Sequence, residues 1–471
     1  MSKENTNNLI QNETEQIEQM EQMETEEEDK TTFEKEKRRY ILKGLSSLLA
    51  CIINSFGYFS IWLLGNSIVY LISFRRYYNP TLNFSYGYFL IPIIYLTQSL
   101  ASPVGGTIED IIGARGTILL SYFILCISFS FIYISKSIYI DYISMVFIGI
   151  GLSFGNSTKK NACAYFLNKK TLIISISYLV PGLLCVLLNI INEKYILNPL
   201  SESPTIDNLY YDKKIFLNFQ KLIIFEIALL VTTCFLTLLL YFKNDPEDTI
   251  KFGFNEKDTI RRTKSTKVTQ IKTAVYSKRT LRLFLMIFLF LPTINLINNT
   301  WRPIGIYYQI NTYHLQLTTA LYSLMGCISS LIFGLIGDKI QFRILFVLLS
   351  FCLVIVSFCF PLSFKNDIFY ISEVLIMIFV SKGYNTIIDS HFIQVYGIKN
   401  FVEIGGIIKT PGGICEVLCV IISFYLENHF TGDKNLMYKY MYIVTGISNI
   451  ISLILGCFEG DDIFIYDSYQ F

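Results

Sequence analysis

From residue 41 to residue 458, apolar runs of about twenty residues or more alternate with short polar breaks. A helix needs about that length to cross roughly 30 Å of hydrocarbon. Runs long enough lie near 41–74, 86–108, 116–135, 140–165, 171–192, 215–242, 281–303, 313–336, 343–362, 368–392, 400–427 and 436–458. None alternates with a period of two, and in lipid every backbone N–H and C=O needs an internal partner, so the runs predict helices rather than barrel strands. The pattern predicts an all-α polytopic membrane protein with twelve transmembrane helices, arranged as two pseudo-symmetric six-helix bundles.

The polar breaks divide the chain. Residues 1–37 are rich in Glu and Gln (Gln16 to Asp29 reads QIEQMEQMETEEED) and predict a disordered acidic tail that a protein partner could order as a helix. They lack the apolar core of a secretory signal, so the first span is expected to act as the targeting signal. Residues 38–242 form the expected N-terminal bundle, 243–280 a basic linker rich in Ser and Thr, 281–458 the C-terminal bundle and 459–471 a short tail. Lys35, Lys37, Arg38, Arg39 and Lys43 precede the first span; Lys169 and Lys170 follow the fourth, the linker the sixth, and Lys339 and Arg343 the eighth. With twelve spans all of these share one face, which the positive-inside rule makes cytoplasmic together with both termini. The other face carries Arg75, Arg76, Lys213 and Lys214 and the glycan acceptor Asn83-Phe84-Ser85, so the orientation rests on the imbalance. The plasma membrane is the default location, an organelle membrane the alternative.

Composition then removes whole classes of function. At 52% hydrophobic and 16% charged residues, the chain is too apolar for two or three soluble domains. A net charge of +2 gives nucleic acid no basic face. The eleven cysteines are scattered through apolar runs without ligand spacing, so neither a metal site nor a disulfide framework is expected. No phosphate-binding glycine loop and no nucleophile/base constellation is present, which argues against a nucleotide-driven pump, an enzyme or a cofactor.

The most specific internal signal is a repeat. GGTIEDIIGARG follows the second span and FGLIGDKIQFR the eighth; Gly106, Asp110 and Arg115 recur as Gly334, Asp338 and Arg343, all offset by 228 residues. Gly155 recurs as Gly383 at the same offset, and Pro181-Gly182 is answered by Pro411-Gly412. In a short turn glycine lets helices approach, aspartate can accept bonds at the start of the next helix, and arginine can pair with a carboxylate or a lipid phosphate. With Lys339, these residues are the candidate gate loops; the plainer reading is that each loop only stabilises its turn.

With these loops the chain resembles the major facilitator superfamily, whose hallmark is Gly-x-x-x-Asp-(Arg/Lys)-x-Gly-x-(Arg/Lys) after the second span with an echo after the eighth. The resemblance covers residues 38–458 and implies that superfamily's fold and alternating access. Ile111 stands where the family usually has a cation, and Gln341 where it has glycine. A glycine-spaced fourth span (Gly149, Gly151, Gly155) followed by Tyr165 to Lys170 looks most like the monocarboxylate porter and oxalate/formate antiporter branch. That branch's early acidic-Gly-Trp signature has only Gly57, Tyr58 and Trp62 as an echo, and 313–336 lacks its arginine.

An ionisable residue at the centre of a span costs about 2.5–3.5 kcal/mol on insertion scales, so each is a candidate site. Lys382 and Asp389 lie on the tenth span, Lys409 and Glu416 on the eleventh and Glu226 on the sixth. Seven residues return to nearly the same helix face about 10 Å along the axis, so two spans show matching Lys/acid stripes. The resemblance implies Lys409 as the cation that meets a substrate carboxylate. Lys382 and Arg302 are further substrate-binding candidates, and Glu416, Asp389 and Glu226 the proton-coupling ones. The structural alternative pairs Lys382 with Asp389 or Glu416 and lets Lys409 snorkel to the interface; His391 is read as a polar cap. The function expected is a secondary active transporter of a small organic anion, a mono- or dicarboxylate, coupled to protons or working by exchange. An amino-acid or other metabolite transporter is the runner-up, and a non-transporting sensor on the same scaffold is the reading of another class.

Overall fold

A computed structural model describes residues 2–61, 63–82, 84–197, 205–206, 209–210, 213–244, 277–397, 401–429 and 434–459. The first span is built from α1 (Ser2–Ile61) and α2 (Leu63–Tyr78), and α3 (Leu90–Ile134) holds the second and third. The fourth is α4 (Ile138–Ser153) with α5 (Asn156–Tyr165), the fifth α6 (Lys170–Leu197) and the sixth α7 (Lys213–Leu240). Spans seven to twelve are α8 (Lys278–Tyr307), α9 (Thr312–Gly337), α10 (Phe342–Ser363), α11 (Asp367–Tyr396), α12 (Phe401–His429) and α13 (Lys434–Cys457). A two-residue hairpin, β1 (Thr205–Ile206) against β2 (Leu209–Tyr210), lies between α6 and α7.

Among the described residues ten helices are long and apolar enough to cross a membrane; one of them, Tyr86–Ile134, runs for 49 residues and holds two crossings, and the shorter Leu321–Gly337 supplies the eighth span. Twelve crossings result, as the hydrophobic pattern predicts. The turn between the second and third spans is Gly113, whose φ of 76° lies in the left-handed region that glycine enters without strain. The fourth span is broken differently. Phe154 and Gly155 fold back onto the carbonyls of Gly151 and Leu152, and neighbouring side chains satisfy the exposed backbone: Ser121 Oγ donates to Gly151 O at 2.6 Å and Asn54 Nδ2 to Gly155 O at 3.1 Å. A broken helix at membrane depth needs such partners.

Each bundle has its own apolar core, around Leu71, Tyr122, Phe129 and Phe219 in the first half and Phe290, Phe346, Phe360 and Tyr442 in the second. The bundles meet where α3 packs on α12 and α6 on α9. Large apolar side chains such as Phe123, Phe235 and Leu362 face outward, as expected where the solvent is lipid. An even number of crossings puts the base of the first span and Glu459 on one face, the terminal face.

Helix α1 starts at Ser2, so the tail that composition reads as disordered is helical and continuous with the first span. Glu, Gln, Met and Lys are strong helix formers, and Glu34 pairs with Lys37 one turn on at 3.7 Å. A polar segment that cannot build a core can still extend an existing helix. Linker residues 245–276, tail residues 460–471 and Asn83 lie outside the described residues.

Candidate functional site

On the terminal face the two repeat loops behave differently. Asp338 caps a helix of the opposite bundle: its Oδ1 accepts from Thr171 N at 3.0 Å and its Oδ2 from Leu172 N at 3.2 Å. The first amides of α6 have no partner inside their own helix, and the positive end of the helix favours a carboxylate. The expectation that this aspartate serves the next helix is therefore corrected to the fifth span, not the ninth. Gly334 presses against Ser175 beside this cap, and the Thr171 and Ser390 hydroxyls bond at 2.5 Å. In the first loop Gly106 presses against Glu403, but Asp110 is exposed and makes no hydrogen bond or ion pair with the described residues. Its neighbour Glu109 does, accepting from Lys160 at 3.1 Å and Ser157 at 2.9 Å within its own bundle. Arg115 donates to the Tyr241 carbonyl at 2.8 Å. Lys339 and Arg343 are exposed.

Deeper in, four helices converge on Asp389, whose side chain is fully buried. It accepts from Lys159 on α5 at 3.2 Å, from Tyr178 on α6 at 2.9 Å and from the close Lys409 ammonium on α12. Lys159 also donates to the Tyr178 hydroxyl at 2.8 Å and lies 4.4 Å from the centre of its ring. Two of the expectations change here. Lys409 is bound to Asp389 on the neighbouring helix instead of reaching the interface, and Asp389, held by three donors, is poorly placed to take a proton. Lys159 and Tyr178 were not among the sequence candidates. A signal existed: Asn156 to Lys160 and Asn161 place six consecutive polar residues inside a run read as membrane-spanning.

Seven residues along α11 from Asp389, toward the membrane centre, lies Lys382. Its side chain is half-buried and runs beside Gly326, with Cγ 3.1 Å from where a Cβ would sit. It makes no hydrogen bond or ion pair with the described residues. One turn before Gly326 on α9, Tyr322 donates to Asn298 Oδ1 on α8 at 2.9 Å. Glu416 on α12 is buried, with Tyr95 and Tyr322 within electrostatic reach of its carboxylate. The helix turn that carries it is fixed by Gly413, where a Cβ would lie 2.9 Å from both Leu96 Cα and the Tyr95 carbonyl of α3. Tyr95 is 40% accessible and lies on the stretch of α3 that packs against Gly413 of the other bundle.

Glu226 sits apart, in the first bundle. It is 2% exposed and neither oxygen has a hydrogen-bond donor among the described residues; the nearby Ser60 hydroxyl donates to Gly57 O instead. The side chain of Arg302 lies outside the described residues. His391 is no loop cap: it is buried, stacked on Phe342 at 3.8 Å and 3.6 Å from Glu459, which also binds Arg279 Nε at 2.6 Å. Burial would raise the proton affinity of Glu459, but His391 and Arg279 outweigh it and hold this carboxyl below its ordinary pKa.

The sequence matches the model of the Major Facilitator Superfamily over residues 221–401. No protein of curated function matches the sequence significantly. Among solved structures, the chain is similar to the proton:xylose symporter XylE bound to 6-bromo-6-deoxy-D-glucose, with a TM-score of 0.68 at 12% identity over 88% of this chain and 94% of that one. It is also similar to the human organic anion transporter MFSD10 (TETRAN), with a TM-score of 0.63 at 10% identity over 88% of this chain and 99% of that one. The monocarboxylate porter branch is not singled out by any of these likenesses. What they share with this chain is the twelve-helix architecture, and the protein has the fold of the major facilitator superfamily.

Proposed function

We propose that the protein is a secondary active transporter that moves a small carboxylate-bearing solute by alternating access, with Lys382 as the cation that receives it. The observation that carries the reading is the isolation of Lys382. Arg75, Lys159 and Lys409 each pair with a carboxylate (Arg75 with Asp141 at 2.6 Å), and Lys382 has none among the described residues. A cation at membrane depth is costly without a counter-charge, and a solute can supply one. The bonds from Asp338 to α6, from Thr171 to Ser390 and from Lys159 to Asp389 join the two bundles toward the terminal face, which suits a state closed on that side. Glu226, a buried carboxyl with no donor among the described residues, is the proton-coupling candidate, since such a group is held most cheaply with a proton. The terminal face is taken as cytoplasmic and the plasma membrane as the site of action.

Purified protein in liposomes should take up labelled acetate, lactate, oxalate or an amino acid saturably, faster with an imposed pH gradient. Lys382→Met should lower uptake at least about tenfold, while Lys382→Arg keeps part of it. Full flux in Lys382→Met would move the binding role elsewhere. A folded protein that moves no solute would shift the reading to a sensor.

A further inference from the structure

We infer that His391 and Glu459 form a latch on the terminal end of α11, and that the charge on His391 makes the closure of that face sensitive to pH; this rests on the transporter reading and adds a control to it. Three consecutive residues of α11 do different things. Asp389 accepts from Lys159 and Tyr178 of the opposite bundle, and the Ser390 hydroxyl bonds to that of Thr171 at 2.5 Å, so both hold the bundles together. His391, about 100° further round the helix, turns into its own bundle. Its ring stacks on Phe342 of α10 at 3.8 Å, and its Nε2 lies 3.6 Å from Glu459, just beyond the end of α13. Glu459 also takes Arg279 Nε of α8 at 2.6 Å, and further along α11 the Tyr396 hydroxyl meets that of Thr280 on α8 at 2.8 Å. The end of α11 is thereby pinned to three other elements.

Both side chains of the latch are fully buried, and a charge in such a place acts far more strongly than one in water. Lys159, Lys409 and Arg75 keep their charge across the physiological range, whereas imidazole is the side chain whose ordinary pKa falls inside it. Charged, His391 attracts Glu459 and draws α11 toward α13 and α8. Neutral, it leaves the carboxylate to Arg279, and the ring holds by stacking alone. The other charged groups nearby are engaged elsewhere. Lys339 and Arg343, beside Phe342, are exposed, and Arg282 of α8 donates to the Phe458 carbonyl. Asp389 is held by two lysines, Asp338 caps α6, and Glu403 at the start of α12 faces Gly106 and Thr107 of α3. A helix is stiff over two residues, so a movement at His391 carries Ser390 and Asp389 with it. The sign has a use: a carrier that admits solute with protons acidifies the terminal side, and protonation of His391 then tightens the face that must open to release more.

The test reads this closure without a solute. Hydrogen–deuterium exchange of the purified full-length protein in detergent, at about pH 6 and about pH 8, reports how often the Thr171 and Leu172 amides leave Asp338 once labelling times are scaled to the chemical exchange rate. Protection of the peptide that holds these amides should be about fivefold or more higher at the lower pH. His391→Gln and Glu459→Gln, each checked for folding by thermal melting, should show the same protection at both pH values. His391→Arg, whose charge is permanent and whose planar head can lie on the Phe342 ring, should keep the higher protection at both. The inference fails if wild-type protection does not change with pH, or if the two glutamine variants keep the full difference, since titration elsewhere would then be its source. Either failure leaves uptake through Lys382 standing. An intact latch in a protein that moves no solute would instead remove the transporter reading alone.

Discussion

Two buried ion clusters sit at opposite ends of the molecule and are built from different parts. Near the face opposite the termini, Arg75 at the end of α2 meets Asp141 at the start of α4, both fully buried: Nε reaches Oδ2 at 2.6 Å and Nη2 reaches Oδ1 at 2.7 Å. The guanidinium also donates to the carbonyls of Ile132, at 2.6 Å, and Ser135. All of these groups belong to one bundle. The Asp389 cluster uses two lysines instead, one from each bundle, and the Lys409 side chain stays 39% exposed. A planar guanidinium gripped on several sides is a rivet, whereas an ammonium on a flexible stem can leave one acceptor for another or for water. Charge buried inside a bundle keeps the bundle rigid, and charge shared between bundles is where rigidity must yield.

The contrast can be broken at its fixed end first. Asp141→Ala strands a buried guanidinium and should cost about 3–5 kcal/mol, seen as loss of folded protein in detergent melting. Replacing Arg75 and Asp141 together by leucine should recover most of that loss, and a single mutant that melts normally would remove the rivet. Asp389→Asn should fold but weaken the link between bundles by about 1–3 kcal/mol. Maleimide should then modify Cys163, buried beside Lys159, roughly ten times faster, an increment that Cys163→Ser abolishes. An unchanged labelling rate would mean that the cluster does not hold the terminal face shut. Gly413→Ala sets a methyl against backbone of α3 that cannot rotate away and should cost about 1–3 kcal/mol of overpacking. Flux should fall more than melting temperature, because the crowding is between moving halves; the reverse order would make this seam static.

The smallest expected effect is at Glu459. Its proton affinity is lowered in the folded chain, so its pairing with Arg279 and His391 stabilises fully above the unfolded carboxyl value and is lost as pH falls through the folded one. Melting temperature should therefore fall as pH drops below about 4.5, and Glu459→Gln should flatten that fall.

The spans were legible because a chain in lipid must satisfy its backbone locally, which leaves a length signature that needs no tertiary knowledge. The site was legible as a list and not as a set of bonds. Spacing put Lys409 on the same stripe as Glu416, yet its acceptor is Asp389 on the adjacent helix, a choice made by packing between spans. Lys159 was hidden by lying near the end of a run, and Arg75 by looking like an ordinary loop charge, although its fork closes on a helix 66 residues away. The loops kept their residues in register through the repeat, but only Asp338 found a helix end to cap, so sequence symmetry overstated the symmetry of contacts.

That cap makes one half of the molecule complete the other. The first turn of α6 is finished by a carboxylate that arrives only when the bundles meet. Each time they part, two amides and an aspartate must be handed to water, and each time they close that water must leave. Opening on this side is therefore inseparable from wetting, and solutes or lipids that keep the crevice dry act as brakes on the cycle without touching the binding site.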